Sequence, residues 1–233
     1  MVFCYCENLE QVIFEPGSAV EEIQYQVFSH SGLKSFTAPP SLRKIGDMAF
    51  ESCSALREFE LNEDIQDLGW LCLLGTAVIN LRLPPHIRRT PEQLGVGQDP
   101  KVLRLPDGLE VVEEFWFCHY GMEKLIVSNT VRVLEQCAFG ECERLREVVF
   151  EPGSRLEFIG KECFHDNGLQ KIVIPKSVRE IGEMAFRNCR DLSSLSFEKG
   201  SALKEVGAHV FSGTQLRQDN VVYPKTLRKK DHG

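Results

Sequence analysis

Apolar positions along this chain recur in short phrases rather than in long helical or strand periods. LEQVIF (9–14), LREVVF (145–150), LQKIVI (169–174) and LSSLSF (192–197) share one spacing, a leucine followed by two apolar residues at the fourth and sixth places. Their last three residues alternate or are β-branched, which fits a strand with one buried face. A turn follows, and after it a second phrase, V-x-x-I-G-x-x-A-F-x-x-C, as in LRKIGDMAFESC (42–53) and VREIGEMAFRNC (178–189). The apolar spacing of that phrase is too irregular for a long helix, so it predicts a short coil or a single helical turn.

Laying the second phrase along the chain finds its aromatic at Phe3, Phe28, Phe50, Phe117, Phe139, Phe164, Phe186 and Phe211. The intervals are 25, 22, 67, 22, 25, 22 and 25 residues. The long interval has room for two degenerate copies. In IQDLGWLCLLG, Leu68-Gly69 matches Ile45-Gly46 and Leu73 replaces the phenylalanine; the other copy centres on Leu94 and Gly95 and lacks the aromatic. The longer units carry FEPGS (14–18, 150–154) or FEKGS (197–201). Pro-Gly there supplies the φ values of a type II turn. A unit this short cannot bury its apolar face alone, so units must stack, with strands side by side in a parallel sheet at a spacing of ~4.8 Å.

The two phrases together resemble a leucine-rich repeat, and specifically the BspA-like (treponemal-type) class, over nearly the whole chain. Residues 63–104 depart from its pattern. The expected architecture is a mainly β or α/β repeat solenoid, with a parallel concave sheet and short coil or helical turns on the convex side. One solenoid of about ten units of 22–25 residues is expected over 1–227, followed by a polar tail at 228–233.

A formal charge of −7 and a pI near 5.5 argue against nucleic acid as a partner, because phosphates reward positive charge. No stretch approaches the ~18 apolar residues of a membrane span, and MVFCYCENLEQ lacks the basic and apolar regions of a signal peptide. Reduced cysteines and a cytoplasmic location are therefore the default expectation. Cys6, Cys53, Cys142 and Cys189 share the third place after the phenylalanine, but always with an intervening unit between them. Two strand steps of ~10 Å exceed the reach of a disulfide or of one zinc ion, so this column reads as a small side chain closing the turn. Cys118-His119 and Cys163-Phe164-His165 look like fragments of ligand sets, with no second C-x-x-C or H-x-x-x-H to complete them. GVG at 95–97 lacks the helix start of a nucleotide fingerprint. No metal, cofactor or catalytic residue is expected.

The expected interaction surface is the outward side of the strands. Its candidates are Arg57, Glu58, Glu60, Arg82, Arg104, Lys124, Arg146 and Lys171, among neighbours such as Ile79 and Asn80; Arg57, Arg82, Arg104 and Lys124 lend it a mildly basic track. EEFWFCHY (113–120) replaces the small residue before the phenylalanine by Trp116. That makes Trp116 and Tyr120 candidate aromatic anchors, with a buried tryptophan as the commoner outcome. The first unit begins without a polar cap, which points to end-to-end self-association or to a longer array. These features imply a non-catalytic protein-binding module. The resemblance implies surface adhesion proteins, the absence of a leader an intracellular scaffold.

Overall fold

The computed structural model describes residues 2–79, 81–97, 101–217 and 221–226; Asn80 and the tail at 228–233 lie outside them. Contacts divide the chain into two units, 1–100 and 101–233. Each is built from parallel ladders of very short strands, and no helix occurs among the described residues.

The first unit holds β1 (Glu22–Ile23), β2 (Ser35–Thr37), β3 (Lys44–Ile45), β4 (Glu58–Glu60) and β5 (Asp67–Leu68). The second holds β6 (Val102–Arg104), β7 (Val111–Val112), β8 (Lys124–Val127), β9 (Val133–Leu134) and β10 (Glu147–Phe150). It continues with β11 (Phe158–Ile159), β12 (Lys171–Ile174), β13 (Glu180–Ile181), β14 (Ser194–Phe197) and β15 (Glu205–Val206).

The first phrase forms the even-numbered strands, as its alternation requires. Phe36 of β2 pairs with Phe59 of β4, and Leu125 of β8 with Leu103 and Val148, all pointing inward. The residues between them point out. The second phrase differs from expectation. Its V-x-x-I portion makes a second parallel ladder, β1-β3-β5 in the first unit and β7-β9-β11-β13-β15 in the second. Glycine after the isoleucine lets adjacent turns approach: a Cβ on Gly46 would lie 2.8 Å from the Tyr25 nitrogen, and one on Gly182 2.6 Å from that of Lys161.

The A-F-x-x-C portion is an irregular turn, the coil form of the expectation and not the helical one. The residues two before and two after the phenylalanine adopt positive φ: Met48 (49°) and Ser52 (57°), Glu162 (54°) and Asp166 (53°), Met184 (55°) and Asn188 (58°). A helix cannot survive that alternation. It turns the N–H of each phenylalanine toward the next turn, where it donates to a carbonyl: Phe28 to Ala49, Phe50 to Cys72, Phe117 to Ala138, Phe164 to Ala185 and Phe186 to Val210, at 2.8–3.0 Å.

The rings stack behind those bonds. Phe3, Phe28 and Phe50 follow one another at 5.4 and 5.2 Å. Phe117, Phe139, Phe164, Phe186 and Phe211 follow at 5.3, 5.5, 5.5 and 5.8 Å, all within 15° of parallel. Such pairs add about 0.5–1.5 kcal/mol each to the burial itself. In the degenerate stretch, Leu73 is buried between Leu71 and Gly75, which hold the two positive-φ positions, and its N–H bonds to Leu94. Beyond β5, side chains stand in for backbone. His86 meets the Ile65 carbonyl, Arg89 donates to that of Leu68, and its guanidinium lies 3.9 Å over the Trp70 ring.

Truncating a ring inside the stack should therefore be costly. Phe186→Ala removes a fully buried ring and is expected to lower stability by ~3–5 kcal/mol. Phe115→Ala, at a side chain 51% exposed, should stay within about 0.5 kcal/mol of wild type. Urea denaturation of the two variants measures the difference.

Candidate functional site

The strand ladders carry the expected surface residues, and each unit arranges them differently. In the first unit Glu58 and Glu60 project from β4 and, with Arg57 just before it and Arg82, line a cleft of about 580 Å³ whose apolar wall includes Phe59 and Leu83. Glu60 accepts a long hydrogen bond from Thr37 on the neighbouring strand. Ile13 and Ile79, on the same outward side, are 77% and 78% exposed.

In the second unit the basic residues are locally neutralised. Arg104 donates through Nε and Nη2 to Glu151 at 3.1 and 2.9 Å, and through Nη2 to Asp107 at 3.1 Å. The Ser128 hydroxyl, with Arg104 beside it, holds the Asp107 carboxyl below its usual range. Lys124 reaches Glu147 across the ladder at 3.0 Å. Arg146 bends aside to donate to the Glu143 carbonyl at 2.5 Å and lies against Gly168, in space that a Cβ there would fill. Lys171 stays exposed. Between these charges runs an apolar row at equivalent strand positions, Ile126 of β8, Val149 of β10 and Val173 of β12, the last 51% exposed. The strand spacing in the sequence already places these three on the outward face, at intervals of 23 and 24 residues, beside the charged candidates.

The aromatic segment 113–120 is split by its backbone. Trp116 takes the inward place of the small residue and is buried at 8% exposure, edge-on to Phe117. Tyr120 also packs edge-on to Phe117, at 5.9 Å. Phe115, at a positive-φ position, is the aromatic turned outward.

The cysteine column has a definite task. Cys53, Cys142 and Cys189 donate through Sγ to the carbonyls of Phe28, Phe117 and Phe164 in the preceding turn, each at 3.0 Å. Asn167 does the same to Phe139 through Nδ2. The column therefore demands a compact donor rather than a ligand. Burial pushes the thiols of Cys142 and Cys189 up to about 12, and that of Cys53 up as well. All nine cysteines are free thiols. One cluster is different in kind: among the described residues, donor atoms of Cys118, His119 and Glu141 lie within 4.8 Å of one another.

The sequence profile described as "BspA type Leucine rich repeat region" matches residues 1–94 and 110–231, in six copies. A solved leucine-rich repeat protein from Bacteroides ovatus is 26% identical and covers 96% of this chain, with a TM-score of 0.55. This chain covers 57% of that protein's length. The pneumococcal vaccine antigen PcpA is 16% identical, over 92% of this chain and 66% of its own, with a TM-score of 0.48. A leucine rich cell surface protein from Faecalibacterium prausnitzii is also 16% identical, over 94% and 76%, with a TM-score of 0.41. No curated protein is similar enough to count as a match. No described helix is long and apolar enough to cross a membrane.

Thiol accessibility follows from the column. Alkylation of the native protein near pH 8 should modify the half-buried Cys4, Cys6 and Cys118 first. The buried Cys53, Cys72, Cys142, Cys163 and Cys189 should react only after denaturant is added, since thiolate and access are both needed. Peptide mass spectrometry reads the order. Early labelling of Cys142 or Cys189 would mean that the stacked turns open.

Proposed function

The chain belongs to the BspA-type leucine-rich repeat family, and from that premise we propose that it is a non-catalytic protein-binding module that grips its partner with the outward residues of its strands. The observation that carries this reading is the row of Ile126, Val149 and Val173, bordered by the Lys124–Glu147 pair and by Lys171. An apolar strip with a mixed charged rim is the composition of a protein interface. Because ladder hydrogen bonds hold β8 on both sides and β10 and β12 on one, little ordering entropy is lost when a partner docks. Charged pairs at the rim contribute little affinity but exclude wrong partners. In the first unit the cleft beside Arg57 and Arg82 supplies a second place for the same partner class. Adhesion at a cell surface is the setting the family resemblance implies, and a scaffold inside the cell would use the same face.

The test uses immobilised chain and lysate of the source cells, with captured proteins identified and their affinities then measured singly. Ile126→Glu combined with Val173→Glu should weaken the dominant captured protein by about 30-fold or more, the size of a hot-spot loss of ~2 kcal/mol. Lys204→Glu, an exposed residue just before the second ladder's β15, should leave it within about twofold. Equal binding by wild type and the double variant overturns the reading.

A further inference from the structure

We propose that Cys118, His119 and Glu141 form a zinc site on the second unit, with His165 holding the Glu141 carboxylate from the next turn. In sequence these residues belong to three successive repeats and look unrelated. Stacking brings them to one carboxylate. His119 Nδ1 lies 3.4 Å from Glu141 Oε2, and His165 Nε2 lies 3.5 Å from Glu141 Oε1. Cys118 supplies a sulfur within 4.8 Å of the His119 and Glu141 donor atoms.

His165 approaches the Glu141 carboxylate from the following turn, where it orients a ligand rather than adding one. Its Nδ1 sits 2.7 Å from the Glu162 carbonyl. A carbonyl only accepts, so Nδ1 carries the hydrogen that fixes the ring in place. The 3.4 Å between His119 Nδ1 and Glu141 Oε2 is near the ~3.3–3.4 Å that separates two ligands in a tetrahedral zinc shell with bonds of ~2.0–2.1 Å. A residue that orients a ligating carboxylate from outside is itself a common feature of metal sites.

The surroundings are fitted to this geometry. The His165 ring occupies the space that a Cβ on Gly140 would take, so glycine there is what allows the ring to lie over the turn. A mixed set of thiolate, imidazole and carboxylate suits zinc better than magnesium or calcium. The first unit has a related group that does not qualify. There Glu51 accepts hydrogen bonds from Ser29 and Ser52 at 2.6 and 2.5 Å and is buried, so hydroxyl donors already satisfy its carboxylate. Glu141 and His119 are 45% and 67% exposed at the side chain, leaving the second group open to an ion from solution.

The experiment titrates zinc into the full chain, stripped beforehand with chelator, against a chromophoric chelator, with cobalt absorption reporting thiolate ligation. Wild type should take up about one equivalent of zinc and show the thiolate-to-cobalt band. Cys118→Ser should lose that band, and Glu141→Gln should bind at least about tenfold more weakly. Gly140→Ala, which evicts only His165, should weaken binding by about 10- to 100-fold. Cys4→Ser should change nothing. Circular dichroism confirms that each variant is folded. Absence of zinc uptake by wild type overturns the proposal, as does a cobalt band that survives Cys118→Ser or disappears in Cys4→Ser.

Discussion

One repeated contact governs each unit: a phenylalanine whose N–H bonds forward to the next turn while its ring lies flat on the ring of that turn. The hydrogen bond sets the separation and the ring sets the lateral register. A slip of one residue would carry the phenylalanine outward and break both at once. Every other regularity of the fold is a consequence. The alanine before the ring is small because the turn closes there, and the isoleucine-glycine step is narrow because the neighbouring backbone lies against it. The compact donor three residues later exists because the phenylalanine carbonyl of the preceding turn needs a partner.

The positive-φ residues on either side of the ring are the cost of this arrangement. Ordinary residues, methionine, glutamate, aspartate and histidine among them, hold far more of these positions than glycine does, although αL backbone costs them roughly 1–2 kcal/mol. That cost is offset because the alternation aims successive N–H groups along the stack, where each finds a carbonyl. No single turn could sustain it. The conformation is stable only as part of an array, which is the physical meaning of the repeat.

This also decides what could be read from the sequence. The period, the inward phenylalanines and the parallel strands were legible because burial leaves a pattern of apolar residues. The pairing of Cys53 with the Phe28 carbonyl was half legible: the column excluded a disulfide, but nothing in the letters identified the acceptor. The second ladder was not legible, since two-residue strands carry no alternation and positive φ at Met48 or Glu162 leaves no mark in composition. Nor were the partners of Arg104 and Lys124. Glu151 and Glu147 lie 47 and 23 positions away, and only the register of the ladders makes them neighbours. For the same reason Trp116 attracted notice in EEFWFCHY, whereas the turn geometry presents Phe115.

Stacking has a further effect on where chemistry can arise. Any outward column places equivalent residues of successive turns about one strand spacing apart, ~5 Å, before any side chain has been chosen. On the strand face this closeness works against a strong field, because lysine and glutamate in adjacent strands cancel, as Lys124 and Glu147 do. What remains for recognition is shape and apolar area, as in Ile126, Val149 and Val173. On the turn side the same closeness gathers His119, Glu141 and His165 around one carboxylate, although the repeat motif specifies none of them. A solenoid of this kind needs no new backbone to gain a site. It needs only that residues left undetermined by stacking in three neighbouring turns have compatible chemistry, so its functional residues are those that break the repeat.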